Sequence, residues 1–298
     1  MSADAESGQL EWERRAGRVA AAAAFAAGVL PFISFFVLAS SISSPGEGRA
    51  GLLAAADESS AAFLAGAALT ALGFLLLPIP LGYLFRASTA RRPETPGIAL
   101  PLLIAAAVGT AAILIVEQVL LLDVAGDFAA EGSMTEEVAD DLVAASAVDT
   151  AQLVRFALSV ALGAAVLLIA LNAMRAGLLS RFVGIIGVAV GVFIAVPILG
   201  GATLIQLFWL VALGMLFLGR WPGGGRGPAW DRVEAVPWPG AAQRMEADRA
   251  ARVDKAQRLA YGDSGDEGAG SGEKAEPSGD GGDAPDPRPA SRKRRRGR

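Results

Sequence analysis

Apolar residues gather into six blocks, at about 19–42, 61–85, 98–122, 150–171, 182–199 and 202–219, with polar residues confined to the stretches between and after them. About 20 predominantly apolar residues in helical form cross a bilayer core. The pattern therefore predicts an all-α fold, a polytopic membrane bundle of six transmembrane helices with a disordered C-terminal tail. Residues 1–17 read as a polar N-terminal segment and 18–220 as the membrane domain. Residues 221–261 read as a Trp/Pro segment followed by a charged helix, and 262–298 as the tail with a basic end. From Gly262 on, Gly, Ser, Asp, Glu and Pro dominate. Such a segment buries too little apolar area to offset its ordering entropy.

Within the blocks, individual residues refine the expectation. The first block is longer than the roughly 7–15 residues of a signal-peptide core, so it is read as an uncleaved helix. Glu11 to Arg15 predict a short interfacial helix carrying Trp12 at headgroup level. Pro31 predicts a kink, and Pro78 with Pro80 predicts distorted last turns in the second block. Ala62, Gly66 and Thr70 form one small face, and Gly184, Gly187 and Gly191 form another. Such faces let helix backbones approach, within one chain or between two copies, so a homo-oligomer stays open.

Charge gives the expected orientation. Outside the apolar blocks, every arginine but Arg49 lies in the N-terminal flank, in 86–96, in 172–181 or after Gly219. The acids lie in 43–60 and above all in 123–149, which holds eight acidic residues from Asp123 to Asp149 and no Lys or Arg. By the excess of basic residues on the cytoplasmic side, this predicts a multi-pass protein of the plasma (inner) membrane with both termini cytoplasmic. Ser133 and Glu136 match a capping box, so a surface helix is expected to start there.

The chemistry available is narrow. With no cysteine and no histidine, disulfides, thiolate chemistry, a Ser-His-Asp triad and Cys/His metal or haem ligation are excluded. No phosphate-binding or dinucleotide fingerprint is present. No enzyme, cofactor or metal site is expected. Glu136, Glu137, Asp140 and Asp141 read as a solvated acidic face rather than a divalent-cation site.

Ionisable side chains inside an apolar run are expensive, so each marks a candidate site. Glu117 precedes Asp123 by six residues, and Arg155 follows Asp149 by six. At about 1.5 Å rise per residue, both lie roughly 9 Å in from the same loop. Helices joined by a loop are usually neighbours, so a Glu117–Arg155 ion pair is expected. Gln118, Gln152 and Gln206 fall at similar depth and are expected to form a polar layer around it. Two readings stand: a latch that fixes helix register, or an outer vestibule in which Glu117 binds a cation or proton.

Trp221, Trp230 and Trp238 among prolines predict contact with the inner leaflet or the inner loops. Arg292, Lys293, Arg294, Arg295 and Arg296 form a basic cluster. With Trp221 they are the candidate lipid contacts, since a basic residue near anionic lipid contributes about 1 kcal/mol. A protein partner, nucleic acid and the tail's own acidic stretch are the other readings of that cluster.

The run Arg175-Ala176-Gly177-Leu178-Leu179-Ser180-Arg181-Phe182-Val183-Gly184 is similar to a loop-and-helix start in bacterial multi-helix membrane proteins, the DUF4386-like group being the nearest. The Gly219-Arg220-Trp221-Pro222-Gly223-Gly224 run, with Pro228-Ala229-Trp230 and Pro237-Trp238, looks like the cytoplasmic exit of related actinobacterial proteins. The resemblance implies about six helices and no established activity. The expected function is a non-enzymatic integral membrane protein of structural or regulatory role. The alternative is a small transporter or channel subunit using the polar layer around Glu117 and Arg155.

Overall fold

The computed structural model describes residues 3–41, 48–132, 135–196, 202–221, 226–236, 238, 249–250, 252–254 and 256. The chain divides into two units, Met1–Trp238 and Pro239–Arg298. In the second unit the described residues are helical. The tail from 262 onward, with Arg292 to Arg296, lies outside the described residues.

The first unit contains α1 (Ala3–Ser41), α2 (Gly48–Glu58), α3 (Ser60–Leu76), α4 (Pro78–Arg91) and α5 (Ala99–Glu131). It continues with α6 (Glu136–Ala145), α7 (Val148–Arg175), α8 (Arg181–Ala195), α9 (Ala202–Phe217) and a 3-10 turn at Pro228–Asp231. No strand occurs among the described residues. Four helical stretches are long and apolar enough to cross a membrane: Glu6–Ser41, Ser60–Arg91, Ala99–Glu131 and Val148–Arg175. The last two apolar helices, Arg181–Ala195 and Thr203–Phe217, are shorter.

Local sequence explains the breaks. Proline has no N–H and fits the first turn of a helix, so α3 stops at Leu76 and α4 starts at Pro78. At Pro31, by contrast, α1 runs on. The ring is accommodated by a glycine on the facing helix: a Cβ on Gly73 would lie 2.7 Å from Pro31 Cγ. The same Cβ would lie 3.3 Å from the Ala27 carbonyl oxygen, the acceptor that Pro31 leaves without its helical donor.

Several boundaries differ from the sequence expectation. The N-terminal segment is not a loose leader with a short interfacial helix, because α1 is continuous from Ala3. Glu13, Gly17, Ala20, Ala24 and Ala27 recur every three or four residues and are all buried, so one small face carries the helix into the bundle. Stretch 43–60 contains α2, and α5 carries past Asp123 and Asp127 to Glu131. The cap of α6 is Thr135, whose hydroxyl accepts from the Val138 N–H at 3.4 Å. Ser133, expected in that role, lies outside the described residues.

The helices pack as a closed ring. Helix α1 packs on α3, α4 and α9; α3 and α4 pack on α5; α5 on α7; α7 on α8; and α8 on α9. Glycines set the tightest contacts. A Cβ on Gly191 would lie 2.7 Å from the Gly163 carbonyl oxygen, and one on Gly187 would lie 2.7 Å from the Trp209 ring. The α8 glycine face is therefore buried within this chain, against α7 and α9. A separate small core, with Leu53, Phe63, Val124, Phe128 and Val143, fills the acidic end of the unit between α2, α3, α5 and α6. The main core runs through the ring to the opposite, arginine-rich end.

Candidate functional site

Among the described residues two ion pairs join different helices of the ring, one toward each end. At the acidic end, Arg155 Nε lies 2.7 Å from Glu117 Oε2, joining α7 to α5 as expected from the sequence. The contact is off the N–H axis, so Nε makes no hydrogen bond. Arg155 is 40% exposed and Glu117 18%. Both line a cavity of about 260 Å³, together with Gln118 of α5, Ser34 of α1 and Thr70 of α3. The Ser34 hydroxyl donates to the Gly66 carbonyl at 2.8 Å, and the Thr70 hydroxyl lies 3.0 Å from the Ser34 oxygen. Absence of a side chain at Gly66 is what admits Ser34. Gln118 Nε2 is buried without a hydrogen-bond partner.

The rest of the expected polar layer does not assemble. Gln152 is exposed on α7, and Gln206 is half-buried on α9, which packs against α1 and α8. Neither lines the cavity.

At the basic end, Arg91 of α4 and Glu13 of α1 form a bidentate pair with N–O distances of 2.6 and 3.0 Å. Their side chains are 0% and 2% exposed. Arg91 Nε donates to the Ala229 carbonyl at 2.8 Å and its Nη1 to the Ala87 carbonyl at 2.9 Å. Glu13 also accepts from Gln9 Nε2 at 3.0 Å. Around the pair stands an aromatic cluster. The Tyr83 hydroxyl donates to the Glu13 carbonyl at 3.0 Å, and its ring stacks on Trp230 with centroids 5.8 Å apart. Phe217 meets the Tyr83 ring edge-on at 4.8 Å. Trp230 Nε1 donates to the Leu178 carbonyl at 2.9 Å, and Arg226 donates to the Phe217 carbonyl. Arg86 sits 4.1 Å above the Trp12 ring.

This cluster draws on α1, α4, the α7–α8 loop, the end of α9 and the segment 226–236. Two of the three tail tryptophans named above belong to its surroundings: Trp230 is buried and Trp221 is half-buried against the main core. The sequence reading placed no site at Glu13, Tyr83 or Arg91. The available signal was periodicity: Glu13 continues the small face of α1, and Arg91 continues the buried row Pro80, Leu84 and Ala87 of α4.

The acidic surface has a structural task. Glu136 of α6 accepts from the N–H groups of Arg49 at 2.7 Å and Ala50 at 3.0 Å, at the start of α2. Arg49 also reaches Asp140 at 3.2 Å. Carboxylates are favoured at helix N-termini, where N–H groups lack internal partners. Those N–H donors, Ala50 first and then Arg49, hold the Glu136 carboxyl below its ordinary range. Among the described residues no acidic cluster can hold a metal ion.

The two ion pairs differ in completeness. Arg91 and Glu13 have their charged atoms engaged by named partners. The closest approach of Arg155 to Glu117, Nε to Oε2 at 2.7 Å, is outside hydrogen-bond geometry, and both side chains line the cavity. A buried pair with every group satisfied is a fastener. A half-satisfied pair beside a cavity has the means to hold something else. The chain matches no known family model, no curated protein and no solved structure.

Proposed function

We propose that the chain is a six-span protein of the plasma membrane, with α8 and α9 completing the bundle as a hairpin and both termini cytoplasmic. Its role is structural or regulatory rather than enzymatic. The observation that carries this reading is the Glu13–Arg91 cluster. It joins the N-terminal segment, two helices, a loop and the segment after the last helix into one fastened end. Those groups are taken up in holding elements together and present no nucleophile paired with a base. The DUF4386-like resemblance supports a bacterial multi-pass protein, and the alternation of basic and acidic stretches supports the orientation. The basic cluster from Arg292 to Arg296 supplies a contact for anionic lipid or a protein partner.

The chain has no cysteine, so single-cysteine labelling needs no prior removal of native thiols. A membrane-impermeant maleimide is expected to label Glu137→Cys on intact cells. Glu94→Cys and Asp231→Cys should label only after permeabilisation. Labelling of Asp231→Cys on intact cells refutes the orientation.

A second reading, a small transporter or channel subunit, is favoured by one observation: the cavity onto which Glu117 and Arg155 open from within two apolar helices. Flux of ions or solutes in liposomes that falls with Glu117→Gln supports it. No flux under any gradient returns the choice to the structural role.

A further inference from the structure

We propose that the cavity between α1, α3, α5 and α7 is a binding site for a small zwitterion, a molecule bearing an ammonium group close to a carboxylate or phosphate. The proposal deepens the second reading and rests on it only in taking the cavity as reachable by a ligand.

Three features of the cavity define the ligand. The first is the set of unused hydrogen-bonding groups. Arg155 makes its closest approach to Glu117 through Nε, which forms no hydrogen bond, and the side chain is 40% exposed, so its guanidinium fork is open to a ligand. That fork matches a carboxylate or phosphate in bidentate fashion. Gln118 Nε2 is buried with no partner, a second donor for the same acidic group. The Glu117 carboxylate, which also lines the cavity, is an acceptor for an ammonium. The contrast with Glu13 and Arg91 shows that this chain completes an ion pair where fastening is the task.

The second feature is charge. Glu117 and Arg155 sum to zero, and they lie inside the apolar stretches Ala99–Glu131 and Val148–Arg175. A lone anion or cation would leave an unbalanced charge there, which is costly away from water. A molecule that is itself neutral overall, with separated charges, answers both ends of the pair and keeps the sum at zero.

The third feature is size. About 260 Å³ is below the roughly 300–1,000 Å³ of pockets for drug-sized ligands. The site suits a free amino acid or the head of an ethanolamine phospholipid, which share this chemistry. Ser34 and Thr70 add a polar wall fixed by the Gly66 carbonyl.

The test uses the purified full-length protein, with binding read by calorimetry and by thermal shift. The probes are glycine, serine and glycerophosphoethanolamine, whose phosphodiester keeps it neutral overall, against acetate and ethylammonium as single-charge controls. At least one zwitterion is expected to bind saturably, at least fivefold more tightly than either control. Arg155→Lys, which keeps the charge and loses the fork, is expected to weaken binding about tenfold. Gln118→Leu, which leaves the ion pair intact, should weaken it severalfold. Binding of free amino acids assigns a soluble ligand. Binding of glycerophosphoethanolamine alone, with ethanolamine phospholipid retained in native mass spectra, assigns the lipid head. Equal binding of acetate or ethylammonium overturns the proposal, as does binding unchanged in both variants, or no binding of any zwitterion. Flux is measured separately. Zwitterion binding without flux keeps the site and removes transport, and Glu117-dependent ion flux without zwitterion binding does the reverse.

Discussion

Replacing Arg91 with methionine is the sharpest test of what holds the basic end. The side chain is fully buried, and it meets both oxygens of Glu13 at 2.6 and 3.0 Å. Removing one partner of a buried pair costs about 3–5 kcal/mol, because the other charge is left uncompensated. The Ala229 carbonyl, 2.8 Å from Arg91 Nε, also loses its donor. A buried acceptor left empty adds about 1–3 kcal/mol, and the terms overlap because they share one side chain. Arg91→Met is therefore expected to destabilise the protein by about 4–6 kcal/mol. Combining it with Glu13→Leu removes both charges, and apolar replacement of a whole buried pair is often close to neutral. The double variant should then lose clearly less than the sum of the singles, with a coupling of about 3 kcal/mol. The assay is unfolding of the full-length protein in mixed micelles at rising SDS fraction, followed by tryptophan fluorescence, to which Trp230 within the cluster contributes. The less buried Glu117–Arg155 pair, with side chains 18% and 40% exposed, is the internal comparison, and Glu117→Gln is expected to cost less than Arg91→Met. A cost below about 1 kcal/mol for Arg91→Met, or strict additivity in the double variant, refutes the reasoning.

The remaining predictions concern the acidic end and the helix contacts. Glu136 has a lowered pKa in the folded protein. Its contribution is therefore present above the ordinary value of about 4.3 and is lost as pH falls through the lower folded value. The distance between spin labels at Leu52 and Ala144 should stay narrowly distributed above about pH 4.3 and broaden on acidification, with Glu136→Gln broadening it already at pH 7. An unchanged distribution in acid and in the variant contradicts this. A Cβ on Gly163 would lie 2.7 Å from the Ala195 nitrogen, so Gly163→Leu should destabilise by about 1–3 kcal/mol or more through overpacking. Gly126, with nothing within 4 Å of its Cβ position, should accept leucine without loss in the same micelle assay.

Periodicity and depth were legible in the sequence, whereas the rotation of each helix about its axis was not. Glu117 and Arg155 could be paired because both interrupt apolar runs and a loop makes their helices neighbours. The expectation that Gln152 and Gln206 join them failed on rotation and on neighbours. Rise per residue fixes how deep a side chain lies, but its direction depends on which helix packs where. Gln152 turns away from α5, and Gln206 sits on a helix whose partners are α1 and α8. The Glu13–Arg91 pair was hidden for a different reason. Both residues lie in charge-rich flanks, where an arginine or glutamate is ordinary, and 78 positions separate them. Only the continuation of a buried row into each flank distinguished them from solvated charges. The acidic stretch looked like a solvated surface because N-capping of a helix in another loop has no local sequence signature.

Arg91 binds Glu13, which precedes it in the chain, and Ala229, which follows it by 138 positions. A ribosome delivers these in a fixed order. Glu13 and Arg91 can meet as soon as the second apolar stretch is made. The acceptor at Ala229, and the Trp230 ring that covers Tyr83, arrive only when nearly the whole ring has been synthesised. Until then Arg91 keeps an unmet donor at the open end of the bundle. A product that stops short of this turn is thus chemically distinct from a finished one: it exposes a guanidinium and an aromatic face that the finished chain covers.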